Sequence, residues 1–239
     1  MPADTYRAQV SLAREPRSAL VLLDIDGTLV DSTYHHALAW QRAFRRHDLD
    51  FPFWRIHRSV GMGGDKLVGA VGGDEVEERL GDALREAWQE EFEPLSDEVR
   101  PLPGAHDLLR DLADRDIPAA LASSGERVFA EKAMQQLGAA SLVEALTSSA
   151  DARESKPQPD LLAATLEEVP ARRAVLVGDT PYDIEAASRA GLACVAVRSG
   201  GFADTELAEA DAIVDGPADL VGFDWDPVLR DVGDADPRL

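Results

Sequence analysis

The chain has 239 residues, of which 45% are hydrophobic and 6% aromatic, a composition typical of a globular protein. Its formal net charge is −21, and so acidic a surface repels nucleic acids and anionic membranes, so we expect neither as a partner. Cys194 is the only cysteine, which excludes a disulfide framework and a cysteine metal site. The sequence shows no signal-peptide pattern and no membrane-length apolar segment, so we expect a soluble, cytoplasmic protein.

Short apolar segments recur along the chain, and most are followed by a segment with helical periodicity. The first ends at Asp24, and the later ones span 117–123, 142–148, 173–179, 193–197 and 211–215. The helical patterns between them span 104–115, 126–138, 158–168 and 181–191. Strands that alternate with helices of this length are typical of an α/β fold with a doubly wound parallel sheet, in which both faces of the strands are buried.

The interval 33–100 breaks this alternation, because it holds helical patterns and no strand-like segment. The predicted helices there span 34–46, 65–71 and 75–92. A stretch rich in proline and glycine, 101–104, follows the interval and marks a boundary.

Two domains are expected from this pattern. Residues 1–32 and 101–239 form the predicted α/β core, and residues 33–100 form a small all-helical cap inserted after the first strand. The last stretch, 225–239, is acidic with few apolar residues, and this composition predicts disorder.

Polar residues follow four of the predicted strands at the point where each strand ends. They are Asp24, Asp26 and Gly27 after the first strand, Ser123, Ser124 and Gly125 after the second, Lys156 after the third, and Asp179 and Asp183 after the fourth. Ligands of parallel α/β sheets bind outside the carboxyl ends of the strands. We therefore predict that these side chains meet in one site.

The charges of this predicted site do not balance, because it has four aspartates and one lysine. Carboxylates held together raise one another's pKa and repel anions unless a cation compensates them. An all-oxygen set of ligands favours Mg²⁺ over zinc or copper. Hydroxyl, backbone amide and ammonium groups are suited to the remaining oxygens of a phosphoryl group, so we expect a phosphate ester to bind beside the Mg²⁺.

Asp24 and Asp26 are separated by one residue, and in an extended turn such residues lean to the same side. One carboxylate can attack phosphorus while the other protonates the departing oxygen. A calcium loop and a simple strand-end turn are alternatives for Asp24 and Asp26, although the glycine and glutamate positions of a calcium loop are not matched.

The serines after the second predicted strand also have an alternative interpretation, because Ser123 or Ser124 could be a helix N-cap.

The segments DIDGTLVDS (24–32), LASSG (121–125), SKPQPD (155–160) and GDTPYDIEAASRAG (178–191) occur in this order. They resemble the four signature motifs of the haloacid dehalogenase superfamily of phosphohydrolases, and most closely its phosphoglycolate-phosphatase and β-phosphoglucomutase branch. The resemblance implies a Rossmann-like core with strand order 3-2-1-4-5 and a helical cap.

The resemblance also implies roles for individual residues. Asp24 is the expected nucleophile and Asp26 the expected general acid and base. Ser123 and Lys156 are expected to hold phosphate, with Ser124 and Gly125 beside them. The implied Mg²⁺ ligands are Asp24, the Asp26 carbonyl oxygen and Asp179, with Asp183 in support.

Two cap residues are further candidates for contact with the substrate. Lys66 follows the glycine-rich stretch 58–64, which presents free amides at the start of a helix. His36 has helical i, i+4 spacing to Trp40, and the mutase branch places a histidine near the substrate at the matching position. The alternatives are a surface position for Lys66 and packing between cap and core for His36.

The function that these expectations favour is a Mg²⁺-dependent phosphohydrolase that cleaves a small phosphorylated metabolite through an aspartyl-phosphate. A sugar-phosphate mutase of the β-phosphoglucomutase type shares all of the core chemistry and is the alternative. Dehalogenation is disfavoured because it needs no acid such as Asp26. A phospho-acceptor receiver is disfavoured because such domains are shorter and lack the helical insertion. An inactive binding protein is disfavoured because every expected catalytic position is present in this sequence.

Overall fold

A parallel β-sheet forms the centre of the computed structural model, which describes residues 15–233. Its strands are β1 (Leu20–Leu23), β2 (Ala119–Ala122), β3 (Ala145–Thr147), β4 (Arg173–Gly178), β5 (Ala193–Val197), β6 (Ala212–Val214) and β7 (Arg230–Asp231). Strands β1 to β6 run parallel in the spatial order β3-β2-β1-β4-β5-β6. The order implied by the family resemblance is therefore found, with β6 added at one edge.

One α-helix follows each of the strands β2, β3 and β4, whereas several helices follow one another between β1 and β2. The α-helices of the described chain are α1 (Thr33–Arg46), α2 (Phe53–His57), α3 (Gly64–Gly72), α4 (Asp74–Leu95), α5 (Ala105–Asp114), α6 (Arg127–Gln136), α7 (Asp160–Glu168) and α8 (Pro181–Arg189). The predicted α/β fold class is confirmed.

Both faces of the sheet are buried by helices, which explains why its strands are apolar throughout. Successive residues of β1 alternate between two apolar clusters, with Val21 and Leu23 in one and Leu20 and Leu22 in the other. The first cluster includes residues of α5 and α6, and the second includes residues of α7 and α8. The sheet is thus wound on both sides.

Helices α1 to α4 form a helical insertion (33–95) that has an apolar core of its own. Trp40, Phe44 and Trp88 are at most 6% exposed and belong to this separate cluster. The three helices predicted in this part of the chain are found, and α4 extends beyond the predicted end. The short helix α2 was not predicted, because five residues after Pro52 are too few for a periodic pattern.

The two chain passages between the core and the helical insertion run side by side. Val30 and Pro101 form an antiparallel bridge. The Asp31 amide donates to the Arg100 carbonyl at 2.9 Å, and the Leu102 amide donates to the Leu29 carbonyl at 2.9 Å. The chain therefore leaves and re-enters the core through one paired ribbon.

The stretch that follows β6 contradicts the predicted disorder as far as it is described. Trp225 is 2% exposed and packs into the core with Val228 and Leu229, while β7 pairs with the start of β4. The prediction is therefore wrong for residues 225–233, because these few apolar side chains anchor a segment whose average composition is acidic. Residues 234–239, also predicted to be disordered, lie outside the described part.

Within residues 15–233, no helix is both long enough and apolar enough to cross a membrane. The N-terminal residues 1–14, for which the sequence predicts no signal peptide, lie outside the described part.

The burial of Trp225 gives a test of the packed C-terminal segment. We expect Trp225→Ala to lower the free energy of unfolding by about 3–5 kcal/mol, because it removes a large side chain from the core. Urea unfolding followed by circular dichroism measures this change. Trp54, which is 68% exposed, gives the matched control, and Trp54→Ala should change stability by no more than about 0.5 kcal/mol. Equal effects of the two substitutions would contradict the packing described here.

Candidate active site

Three buried aspartates meet at the carboxyl ends of β1 and β4. Asp24 follows β1, Asp179 follows β4, and Asp183 lies in the first turn of α8. Their exposed fractions are 6%, 1% and 0%. One carboxylate oxygen from each lies within 4.8 Å of the other two. The sheet thus brings together acidic side chains that are far apart in the sequence.

Lys156 supplies the positive charge that contacts this cluster. Its ammonium group is 2.5 Å from Asp24 Oδ1 and 2.6 Å from Asp183 Oδ1, and its side chain is 1% exposed. Burial lowers the pKa of Lys156, but Asp183 and Asp24 outweigh this effect and hold the pKa above its usual value. The lysine therefore stays charged, and three carboxylates with one ammonium leave an excess negative charge.

This excess charge perturbs the carboxyl groups themselves. Burial raises the pKa of Asp24 to about 7, although the Lys156 ammonium acts in the opposite direction. Burial and the neighbouring carboxylates of Asp183 and Asp24 raise the pKa of Asp179 well above its usual value. A bound cation would favour the ionised forms of these groups.

The environment of Asp179 fits a divalent cation. Its Oδ1 accepts a hydrogen bond from Thr28 Oγ1 at 3.1 Å, whereas its buried Oδ2 has no hydrogen-bond partner among the described residues. A Cβ added to Gly27 or Gly200 would lie 2.3 Å or 1.9 Å from that Oδ2. Both glycines therefore keep the space beside this oxygen open, and hard carboxylate oxygens are ligands suited to Mg²⁺.

Asp26 lies beside the acidic cluster but points its carboxylate elsewhere. Oδ1 accepts from Ser32 Oγ at 2.6 Å and lies 3.0 Å from His36 Nε2, and Oδ2 accepts from Ser123 Oγ at 3.4 Å. Burial raises the pKa of Asp26, but the His36 contact and the Ser32 hydrogen bond outweigh burial and hold the pKa below its usual value. The role of the Asp26 carbonyl oxygen as a Mg²⁺ ligand stays a prediction.

His36 connects this carboxylate to the helical insertion. It extends from α1, is 7% exposed and stacks on Phe92 of α4 with a distance of 4.0 Å between the ring centroids. His36 also lines the cavity described below. Packing of the insertion on the core is therefore observed for this side chain, whereas its contact with the substrate stays a prediction.

The turn after β2 places Ser123, Ser124 and Gly125 next to Asp26. Ser123 Oγ accepts from the Gly125 amide at 3.0 Å, and the residue before α6 is Glu126, so neither serine is the N-cap. Ser124 Oγ is buried and makes no hydrogen bond within residues 15–233. The Ser124 hydroxyl is therefore free to bind a ligand, whereas the Gly125 amide already donates to Ser123.

Lys66 lies outside the cluster of reactive groups. Its ammonium group is 2.5 Å from Glu154 Oε2, a residue of the core loop that carries Lys156. Ser155 in the same loop donates to the Asp65 carboxylate and accepts from the Gly63 amide at 3.1 Å. Lys66 thus helps to fasten the insertion to the core and does not line the cavity.

A cavity of about 300 Å³ lies between the insertion and the core and opens onto Asp24 and Asp26. Its lining includes four side chains that the sequence did not indicate as site residues: Arg85, Trp88, Glu126 and Arg153. Each is a single residue on a helix or in a loop and belongs to no motif, so no pattern in the sequence singles it out.

The family follows from a comparison with known proteins. The family model described as "Haloacid dehalogenase-like hydrolase" matches residues 21–197, which span the sheet from β1 to β5 and every residue of the acidic cluster. The chain belongs to the haloacid dehalogenase-like hydrolase family. This assignment agrees with the four motifs and with the observed strand order.

Individual relatives of this hydrolase cover nearly the same part of the chain. The validoxylamine A 7'-phosphate phosphatase of Streptomyces hygroscopicus subsp. limoneus is 30% identical over 86% of this chain and 96% of that protein. A phosphoglycolate phosphatase of Aquifex aeolicus is 28% identical over 84% and 94% of the two chains. The crystal structure of a hydrolase from Pseudomonas syringae has a TM-score of 0.80 and 28% identity, covering 86% and 97%.

Gly200 tests the cation site of the hydrolase without relying on activity. In the wild type, Mg²⁺ at a hundred times its dissociation constant should stabilise the folded state by about 2.7 kcal/mol. We expect Gly200→Ala to remove most of this stabilisation, because the added Cβ would occupy the space beside Asp179 Oδ2. Urea unfolding with and without Mg²⁺ gives the difference.

Gly216→Ala is the matched control, because no atom of residues 15–233 outside its immediate neighbours lies within 4 Å of the position that its Cβ would take. It should respond to Mg²⁺ as the wild type does. Asp179→Asn, which keeps the side-chain volume, gives a second test if Gly200→Ala folds poorly. Full Mg²⁺ stabilisation of both Gly200→Ala and Asp179→Asn would show that this is not the cation site.

Proposed function

We propose that this hydrolase is a Mg²⁺-dependent phosphatase that cleaves a small phosphomonoester through an aspartyl-phosphate on Asp24. The observation that carries the proposal is the convergence of Asp24, Lys156, Asp179 and Asp183 at one edge of the sheet, with Asp26 beside them. The phosphatase names of relatives about 30% identical support the same reaction class.

Asp24 is the nucleophile in this proposal, and it must be ionised to attack phosphorus. The Lys156 ammonium, 2.5 Å away, favours the ionised form against the effect of burial. When held by Asp24, Asp179 and the Asp26 carbonyl, with Asp183 in support, Mg²⁺ would supply the charge that screens the phosphoryl oxygens. Asp183 also holds Lys156 in place through its own ion pair.

Asp26 acts as the general acid and then as the general base. A phosphate dianion close to Asp26 raises its pKa, which favours the protonated form needed to release the alcohol. After the alcohol has left, the contacts from His36 and Ser32 favour the ionised form that takes a proton from water. The same carboxylate can therefore serve both half-reactions.

The phosphoryl oxygens are bound by groups from two loops of the core. Ser123 lies next to Asp26 and Lys156 lies next to Asp24, and the turn after Ser123 adds the Ser124 amide. Gly125 supports this arrangement, because its amide donates to Ser123 Oγ and holds that hydroxyl in place. The unpartnered Ser124 hydroxyl gives a further donor. Donors fixed in a buried site stabilise developing negative charge more strongly than water does.

The helical insertion acts as a lid over this site. It contributes part of the cavity wall and is fastened to the core loop by the Asp65–Ser155 and Lys66–Glu154 contacts. A closed lid excludes water from the reacting groups until the alcohol has left. In this proposal Lys66 holds the lid closed through its contact with Glu154, whereas His36 lines the cavity that receives the substrate.

Asp24→Asn tests the nucleophile. We expect phosphate release to fall at least about a thousandfold, because the amide cannot form the phosphoenzyme. Release from a panel of phosphorylated metabolites with Mg²⁺ is the measurement, and an acid quench should trap labelled phosphate on the wild type but not on Asp24→Asn. Asp107→Asn, at an exposed position on α5, is the control and should keep wild-type activity. An active Asp24→Asn variant would refute this mechanism.

The acceptor of the phosphoryl group separates hydrolysis from the mutase reaction. We expect free phosphate to accumulate in step with the loss of substrate, because water is the acceptor in the proposed reaction. Nuclear magnetic resonance of phosphorus in a mixture with Mg²⁺ and a hexose 1-phosphate resolves both products. Conversion to hexose 6-phosphate without free phosphate would identify a mutase instead.

A further inference from the structure

The cavity next to Asp24 and Asp26 has two chemically different walls, which bear on what the phosphate is attached to. The helical insertion contributes most of the apolar lining, namely Trp40, Val60, Met62, Leu67 and Trp88. The core contributes a mostly polar lining, namely Ser124, Glu126, Ser149, Arg153 and Ser155. A ligand that fills this space needs an apolar surface on one side and hydrogen-bonding groups on the other.

The charged groups of the lining do not favour a second anion on the ligand. Arg85 already lies 2.8 Å from Glu77 and 2.8 Å from Asp82, so two carboxylates compensate its charge. Arg153 is exposed and makes no ion pair or side-chain hydrogen bond within residues 15–233. It is accompanied by the acidic side chains of Glu126 and Asp65. A carboxylate or second phosphate on the leaving group would therefore meet as much negative as positive charge.

Glu126 adds an acceptor to this wall. It is the residue before α6, and its side chain makes no hydrogen bond in the described part of the chain. Burial raises the pKa of this carboxyl group above its usual value, and the carboxylate forms no ion pair within residues 15–233. An unpaired carboxylate and an unpaired guanidinium on one wall are suited to hydroxyl groups, which can both donate and accept.

The size of the cavity favours a leaving group that is larger than two carbons. About 300 Å³ is the lower end of the range for small-molecule sites and corresponds to the space of roughly ten water molecules. The aromatic part of the wall is rigid, since Trp40 and Trp88 stack at a distance of 5.4 Å between their ring centroids. A two-carbon leaving group would leave this apolar wall in contact with water.

We infer that the substrate is the phosphate ester of an uncharged, polyhydroxylated ring, either a sugar or a cyclitol. The inference rests on the proposed phosphatase function and specifies its substrate class. Water cleaves the ester, and the products are the free polyol and inorganic phosphate. The C–H groups of the ring contact the aromatic wall, and the ring hydroxyls bind Arg153 and Glu126.

The experiment compares kcat/KM for esters that differ in charge and shape, in the presence of Mg²⁺. Glucose 6-phosphate and myo-inositol 1-phosphate have uncharged ring leaving groups, and glycerol 3-phosphate has an uncharged acyclic one. Phosphoglycolate and fructose 1,6-bisphosphate have anionic leaving groups. We expect at least one of the uncharged ring esters to exceed all three of the others by roughly tenfold or more.

The outcomes separate this inference from the phosphatase proposal. A preference for phosphoglycolate, the bisphosphate or glycerol 3-phosphate would overturn the inference and leave the phosphatase function standing. Hydrolysis of p-nitrophenyl phosphate without hydrolysis of either uncharged ring ester would also overturn the inferred substrate class and leave the phosphatase function standing. No phosphate release from any ester, including p-nitrophenyl phosphate, would overturn both.

Substitutions at the polar wall test the assigned contacts. Arg153→Ala should lower kcat/KM for the preferred ring ester roughly tenfold, mainly through KM, which is the scale of one hydrogen bond to a charged group. Glu126→Lys should raise the ratio of phosphoglycolate to ring-ester hydrolysis, because it replaces a negative charge of the cavity lining by a positive one. Arg110→Ala, at an exposed arginine of α5 that does not line the cavity, is the matched control. Unchanged KM values and an unchanged ratio would show that these side chains do not face the leaving group.

Discussion

An ammonium group enclosed between two carboxylates is the constraint around which the site is organised. Lys156 pairs with Asp24 and Asp183 in a buried region, and a third carboxylate, Asp179, lies beside them. Burying these charges without compensation would cost several kcal/mol per ion. The remaining negative charge makes the site suited to a cation, and in the proposed function this cation would allow a phosphate dianion to bind. The excess of carboxylates over ammonium groups at the strand ends therefore underlies both the suitability of the site for a cation and the proposed phosphate transfer.

The two reacting carboxylates are kept different by their surroundings. Asp24 faces the acidic cluster, and burial raises its pKa to about 7, whereas His36 and Ser32 hold the pKa of Asp26 below its usual value. The difference arises from the direction of each side chain, because one points into the core and the other towards the helical insertion. Neighbouring residues of one turn can thus have separate roles in the proposed reaction.

The core of the site was predictable from the sequence, because strand ends of a parallel sheet share an edge and four strand-end segments carry complementary chemistry. Contacts that depend on distant packing were not predictable. Lys66 meets Glu154 only through the docking of the insertion, and Arg85, Glu126 and Arg153 belong to no motif. The packing of Trp225 was missed because composition averages over the few apolar residues that anchor a segment.

The paired ribbon at Val30 and Pro101 bears on how such a hydrolase can change over evolution. Both connections of the helical insertion pass through it, and the insertion has an apolar cluster separate from the two clusters of the sheet. Mutations among residues 33–95 can therefore remodel the apolar wall of the cavity while the acidic cluster of the core is inherited unchanged, provided that His36, which contacts Asp26, is retained. New specificities can arise by drift in one module, with little risk to the reactivity encoded in the other.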